Sequence, residues 1–189
     1  MRSFFNDQHP WHALRSVFVL LIITSGPLNA QQLPLCQGGE NLASSCANSC
    51  VVCDLDGYSN STMQVTPGDP PPGFCTFVVH NIGWVGFIAG STDLTISVEV
   101  FSCSLGNSIE MGIYQAPDCQ NAALVSNCNT EMFQNNTYSF TNTEPLIPGC
   151  VYFLVFDNNG PAICPFTVTV TSGSASAPNP GPTPAPSGP

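Results

Sequence analysis

All ten cysteines of this 189-residue chain lie at or after Cys36, and its only basic residues other than histidine, Arg2 and Arg15, lie before it. A segment so composed has no Lys or Arg for salt bridges and ten thiols for cross-links. The same partition points to a compartment. Arg2 and Arg15 flank a short polar start, residues 17–23 are an unbroken apolar run, and Leu28-Asn29-Ala30 ends in the small residue that a signal peptidase needs. The run is too short for a bilayer, which takes roughly 20 apolar residues. Residues 1–30 therefore read as a cleaved signal peptide. The mature chain from Gln31 is expected to be secreted or displayed at the cell surface, with no transmembrane segment after cleavage.

Outside the cytosol thiols oxidise and stay oxidised. Cys36, Cys46, Cys50, Cys53, Cys75, Cys103, Cys119, Cys128, Cys150 and Cys164 are thus disulfide candidates for up to five bridges. Ten cysteines allow roughly 945 pairings, and spacing alone chooses none of them. Eleven carboxylates follow Ala30, and His80, when protonated, is the only side-chain cation they can meet. Each carboxylate must be solvated, accept hydrogen bonds from N–H or hydroxyl groups, or hold a metal cation. The acidic balance excludes nucleic acid as a partner, since phosphates require Lys and Arg, and disfavours an anionic membrane surface.

Residues 31–61 are loop-like and carry four cysteines among Gly, Asn and Ser, which predicts a disulfide-stapled N-terminal extension. The Pro- and Gly-rich stretch 66–73 then interrupts regular structure. Residues 93–100 alternate apolar and polar, placing Leu94, Ile96, Val98 and Val100 on one buried face of a strand. Residues 74–80, 82–89, 109–114, 124–127, 137–141, 151–156 and 166–171 are similar β-branched and aromatic runs bounded by turn residues. Residues 151–156 are apolar on both faces, so a central strand covered on both sides is expected there. About eight short strands and no convincing helix predict an all-β fold, an antiparallel, jelly-roll-like β-sandwich over 62–173. From 174 to 189 the composition turns to Pro, Gly and Ser, as in a linker. Downstream domains of a longer chain are its expected partners.

Cys46, Cys50 and Cys53 carry the spacing of a radical-SAM cluster motif. An exported chain without an α/β pattern opposes that reading, and half a zinc motif at Cys50 and Cys53 has no matching second half. Asp54-Leu55-Asp56-Gly57-Tyr58 resembles the opening of a calcium loop, which makes Asp54 and Asp56 candidate calcium ligands; the closing Glu of that loop is missing. Asp157 with Asn158 and Asn159, and Glu110 with Asp118, are further candidates of the same kind. No other cofactor is implied. The mature chain offers one histidine, no Lys or Arg, no Gly-x-Ser-x-Gly and no His-Glu-x-x-His, so a non-enzymatic protein is expected. Trp84 and Tyr58 are candidate stacking residues for an extracellular glycan.

Cys53-Asp54-Leu55-Asp56-Gly57-Tyr58, the run Asn81-Ile82-Gly83-Trp84-Val85-Gly86-Phe87-Ile88-Ala89-Gly90-Ser91, Met111-Gly112-Ile113-Tyr114 and the run from Phe140 to Gly149 resemble an N-terminal module of large multidomain surface proteins of gliding-type bacteria. The resemblance spans roughly Cys36 to Gly173. It implies a disulfide-bearing β-sandwich laid out like CUB or pre-peptidase C-terminal domains, in a type IX secretion setting, and it carries no catalytic residues. The repeats and sorting domain of that family are absent from this chain. The resulting expectation is an exported recognition or spacer module of an adhesin-like surface protein, binding an extracellular glycan or protein. The alternative is an accessory, carbohydrate-binding domain of a secreted hydrolase.

Overall fold

The computed structural model describes residues 33–62 and 68–176. The expected signal peptide and the tail from 177 lie outside the described residues. Nine strands form among the described residues: β1 (Ser59–Ser61), β2 (Gly83–Ile88), β3 (Thr95–Val100), β4 (Ser108–Gln115), β5 (Ala123–Leu124), β6 (Asn129–Phe133), β7 (Asn136–Thr141), β8 (Val151–Asn158) and β9 (Pro165–Ser172). The only helix among the described residues is one 3-10 turn, Cys46–Asn48. The strands build two antiparallel sheets in the orders β1-β9-β3-β7 and β2-β8-β4-β5, with β6 also pairing with β4. With β5 and β6 counted as two parts of one edge strand, this is the jelly-roll order.

The alternation in β3 works as its sequence predicts. Leu94, Ile96, Val98 and Val100 are fully buried against Phe87, Tyr152, Leu154 and Phe156 of the facing sheet. Phe156 of β8 stacks on Phe166 of β9 with ring centroids 4.3 Å apart, joining the two sheets across the core. The opposite face of β8 is also covered, as its unbroken apolar run requires. Phe153 and Val155 pack with Ile82, Trp84, Tyr114 and Ala116 in a second core. That core is roofed by the segment from Leu33 to Val52 and by a strap, residues 68–82. Gly86 lets the roof approach: a Cβ there would stand 3.1 Å from Val51 Cγ2 and 3.2 Å from the Cys50 carbonyl oxygen.

Eight cysteines pair, as Cys36–Cys50, Cys46–Cys119, Cys75–Cys128 and Cys103–Cys164. Cys46–Cys119 and Cys75–Cys128 fasten the roof to the sheet beneath it. The longest loop closed, 73 residues by Cys46–Cys119, is worth about 4 kcal/mol in the chain-entropy account. Five bridges are not reached, because Cys53 and Cys150 remain exposed thiols. Val52 donates its N–H to Gly86 along one flank of β2, whereas the Cys150 carbonyl accepts from Ala89 on the other. The strand itself thus stands between the two thiols.

Several expected boundaries move. Residues 74–80 form no strand, since the N–H groups of His80 and Asn81 turn to the Asp157 carboxylate and not to a neighbouring strand. β5 ends after two residues because Ser126 leaves the ladder and accepts the Ile113 N–H on its hydroxyl. The polar strands β1 and β6 have no apolar alternation to announce them. The N-terminal extension also reaches into the main core, through Leu42, Val52 and Leu55. Packing also continues past 173, with Leu55 donating to the Ala175 carbonyl at 3.0 Å and Asp54 bridged to Ser176.

Because Phe156 touches both sheets through Phe166, Phe156→Ala is expected to destabilise the chain by about 3–5 kcal/mol. Urea unfolding of the disulfide-intact protein checks this through a lower midpoint at unchanged slope.

Candidate functional site

The turn at Asp54–Tyr58 is built by its own side chains. Asp54 Oδ1 accepts the Asp56 N–H at 3.1 Å, and Gly57 takes the positive φ of +76° that closes the turn. Asp56 Oδ1 accepts the Val170 N–H at 2.9 Å and the Gly57 N–H reaches the Val168 carbonyl, so the turn is stitched to β9. Both carboxylates are exposed, and one oxygen of each serves the backbone. Among the described residues, the one set of metal-type ligand atoms within 4.8 Å of one another is Cys36, Glu40 and Cys50. Its two sulfurs are joined as a disulfide and offer no thiolate.

The turn delivers Tyr58 onto Phe166, centroids 6.2 Å apart. Asn60 donates to that hydroxyl at 2.6 Å and to the Glu40 carbonyl at 2.9 Å. Opposite stands the loop Gly38-Gly39-Glu40, whose glycines adopt φ of +87° and +73°. Between loop and turn opens a cavity of about 350 Å³, walled by Gly38, Gly39, Glu40, Tyr58, Ser59 and Asn60 and floored by the Cys36–Cys50 bridge. Burial pushes the Tyr58 hydroxyl pKa up from 10.0; the Asn60 hydrogen bond works against this and the Glu40 charge adds to it. The phenol stays neutral and able to donate. An aromatic ring beside an amide, a hydroxyl and a carboxylate suits a neutral polyhydroxylated ligand.

Trp84 does not belong to this site. Its side chain is 3% exposed, lies edge-on to Phe153 in the second core, and donates its Nε1–H to the Asp69 carbonyl at 3.0 Å. The expected Trp84–Tyr58 platform is therefore corrected to Tyr58 alone, because the N-terminal segment and the strap cover the indole. Asp118 is not near Glu110 in function either: it caps the Gln120 and Asn121 N–H groups in an exposed turn, which lowers its pKa.

A second polar constellation lies on the outer face of the five-stranded sheet. Glu110 of β4 is directly opposite Asp157 of β8, and both are buried. Asp157 accepts the N–H groups of His80 and Asn81, at 3.1 Å and 2.6 Å, and so anchors the end of the strap. Burial raises its pKa, and these hydrogen bonds with nearby His80 oppose the rise. Glu110 has less support. Burial foremost, then the charges of Asp157 and Glu131, lift its pKa from 4.5 to about 7. The sequence shows these residues singly, but only strand pairing brings them together.

Comparison with family models, with curated proteins and with solved structures found no match, so the reading of both sites rests on their own chemistry.

Glu110 binds a proton more tightly folded than unfolded, so its contribution to stability is complete below about pH 4.5. It is lost as the pH rises through about 7. In chelator-containing buffer, Glu110→Gln is expected to remove that fall and to leave the variant more stable than the parent at pH 8, by at most about 3 kcal/mol. Denaturant unfolding at pH 5 and pH 8 checks the sign. A parent protein that gains stability over this interval, relative to the variant, contradicts it.

Proposed function

We propose that this chain is an exported, non-enzymatic recognition module of an adhesin-like surface protein, and that it takes a neutral saccharide in the cavity beside Tyr58. The cavity itself carries the reading. It joins a half-buried tyrosine ring to the Asn60 amide and the Ser59 hydroxyl, on loops held by a disulfide and by backbone bonds to β9. Rings stack on sugar C–H faces while amides and hydroxyls exchange hydrogen bonds with sugar hydroxyls, and a pre-ordered wall lowers the entropy lost on binding. Four disulfides fit an oxidising, extracellular setting. No helix of the described residues is long and apolar enough to cross a membrane. The resemblance to N-terminal modules of large surface proteins supports the same setting.

The described residues favour binding over turnover. They include no Lys or Arg and one histidine, His80, which stands beside a buried carboxylate on the strap, away from the cavity. A glycan array is expected to return hits among neutral saccharides, and Tyr58→Ala to weaken the best of them at least ten-fold. An array without hits, or hits indifferent to Tyr58→Ala, removes the saccharide reading and leaves the spacer role.

A further inference from the structure

The described residues contain one histidine and two buried carboxylates, and one of the carboxylates, Asp157, has the other two as neighbours. Glu110 is 6% exposed and Asp157 fully buried, opposite each other on β4 and β8. His80, at the end of the strap, points Nδ1 toward Asp157 Oδ2 at 3.8 Å. That is too long for a hydrogen bond. Nδ1 of His80 and Oε2 of Glu110 are both shielded from solvent and neither has a hydrogen-bond partner. A buried, unpartnered carboxylate oxygen costs free energy unless something neutralises it. With no Lys or Arg among the described residues, His80 is the single side-chain cation available to two carboxylates.

Local geometry leaves room for adjustment. The β4–β6 pairing shifts register between Ile109 and Met111, so Glu110 faces a bulge in β6 where exposed Glu131 sits. Bulges loosen the ladder and re-aim side chains beside functional sites. Two ligands of one tetrahedral ion, each about 2.1 Å from it, stand about 3.4 Å apart. The His80–Asp157 separation is close to that span. Glu110 lies outside a preformed set, since the three ligand atoms are not within 4.8 Å of one another. Its free Oε2 can swing in without giving up a hydrogen bond.

We propose that His80, Asp157 and Glu110 bind a divalent cation of the Zn²⁺ type, with Glu131 at hand as a fourth ligand. The imidazole decides the class, because Ca²⁺ and Mg²⁺ take oxygen ligands whereas nitrogen with carboxylate suits zinc and its neighbours. The ion pins the strap to β4 and β8. The strap carries Phe77 and Val78, both exposed, so the cation governs how firmly that apolar tip is presented. The site is separate from the Tyr58 cavity, and either can fail without the other.

Cys53 and Cys150 can bind zinc themselves, so the experiment uses Cys53→Ser/Cys150→Ser as its background. The EDTA-stripped, dialysed protein is titrated with Zn²⁺ by calorimetry, and its melting temperature is followed. One saturable site per chain and a melting temperature raised by several degrees are expected. His80→Gln and Glu110→Gln should each weaken binding at least ten-fold, with far-UV circular dichroism showing the fold retained. Asp54→Asn/Asp56→Asn should leave binding unchanged, and millimolar Ca²⁺ should not displace the zinc. Absence of saturable binding, indifference to both single variants, loss in the Asp54/Asp56 variant, or displacement by Ca²⁺ would each overturn the proposal.

Discussion

The rest of the structure depends on β8 being apolar on both of its faces. Tyr152, Leu154 and Phe156 point into the space between the sheets, and Phe153 and Val155 point the other way. A sandwich strand with one wet face needs no second cover. This strand does, and the N-terminal segment and the strap supply it. The chain thus becomes three layers, with the five-stranded sheet in the middle. Gly86 admits the roof to close range, Trp84 packs beneath it, and two disulfides hold it down.

Scarcity of cations shapes everything polar in this molecule. Exposed carboxylates act as backbone acceptors: Asp54 and Asp56 make and anchor a turn, and Asp118 caps another. In an ordinary domain buried carboxylates are answered by Lys or Arg. Here Asp157 is answered by two backbone N–H groups and a histidine, and Glu110 by very little. That imbalance makes Glu110 proton-hungry near neutral pH and makes the Glu110–Asp157–His80 corner receptive to a cation. The Tyr58 cavity differs, with the Asn60 amide and the Ser59 hydroxyl beside a ring and Glu40 as its one carboxylate.

Disulfides divide the labour by location. Cys36–Cys50 stiffens the floor of the Tyr58 cavity, Cys103–Cys164 ties the end of β3 to the start of β9, and the remaining two secure the roof. Thr62 reinforces the second of these regions by accepting the Cys164 N–H on its hydroxyl. Cross-links placed this way hold loops and cover segments, while the sheets are held by packing. Function placed on loops therefore does not depend on a large core alone.

Local chemistry in the sequence was enough to determine the β class, the faces of β3, the two-sided burial of β8 and the Asp-Gly turn before Tyr58. Each depends on the pattern of neighbouring residues, and that pattern survives into the fold. Strands β1 and β6 were illegible because their residues are polar and are recruited by a partner strand's ladder. The pairing of cysteines, the burial of Trp84 and the placing of His80 and of Glu110 beside Asp157 were decided only in three dimensions. Those residues are separated by tens of positions, and their distances are set by strand order and by the roof. Cross-strand register places one residue opposite another, and a sequence read along the chain carries no term for it.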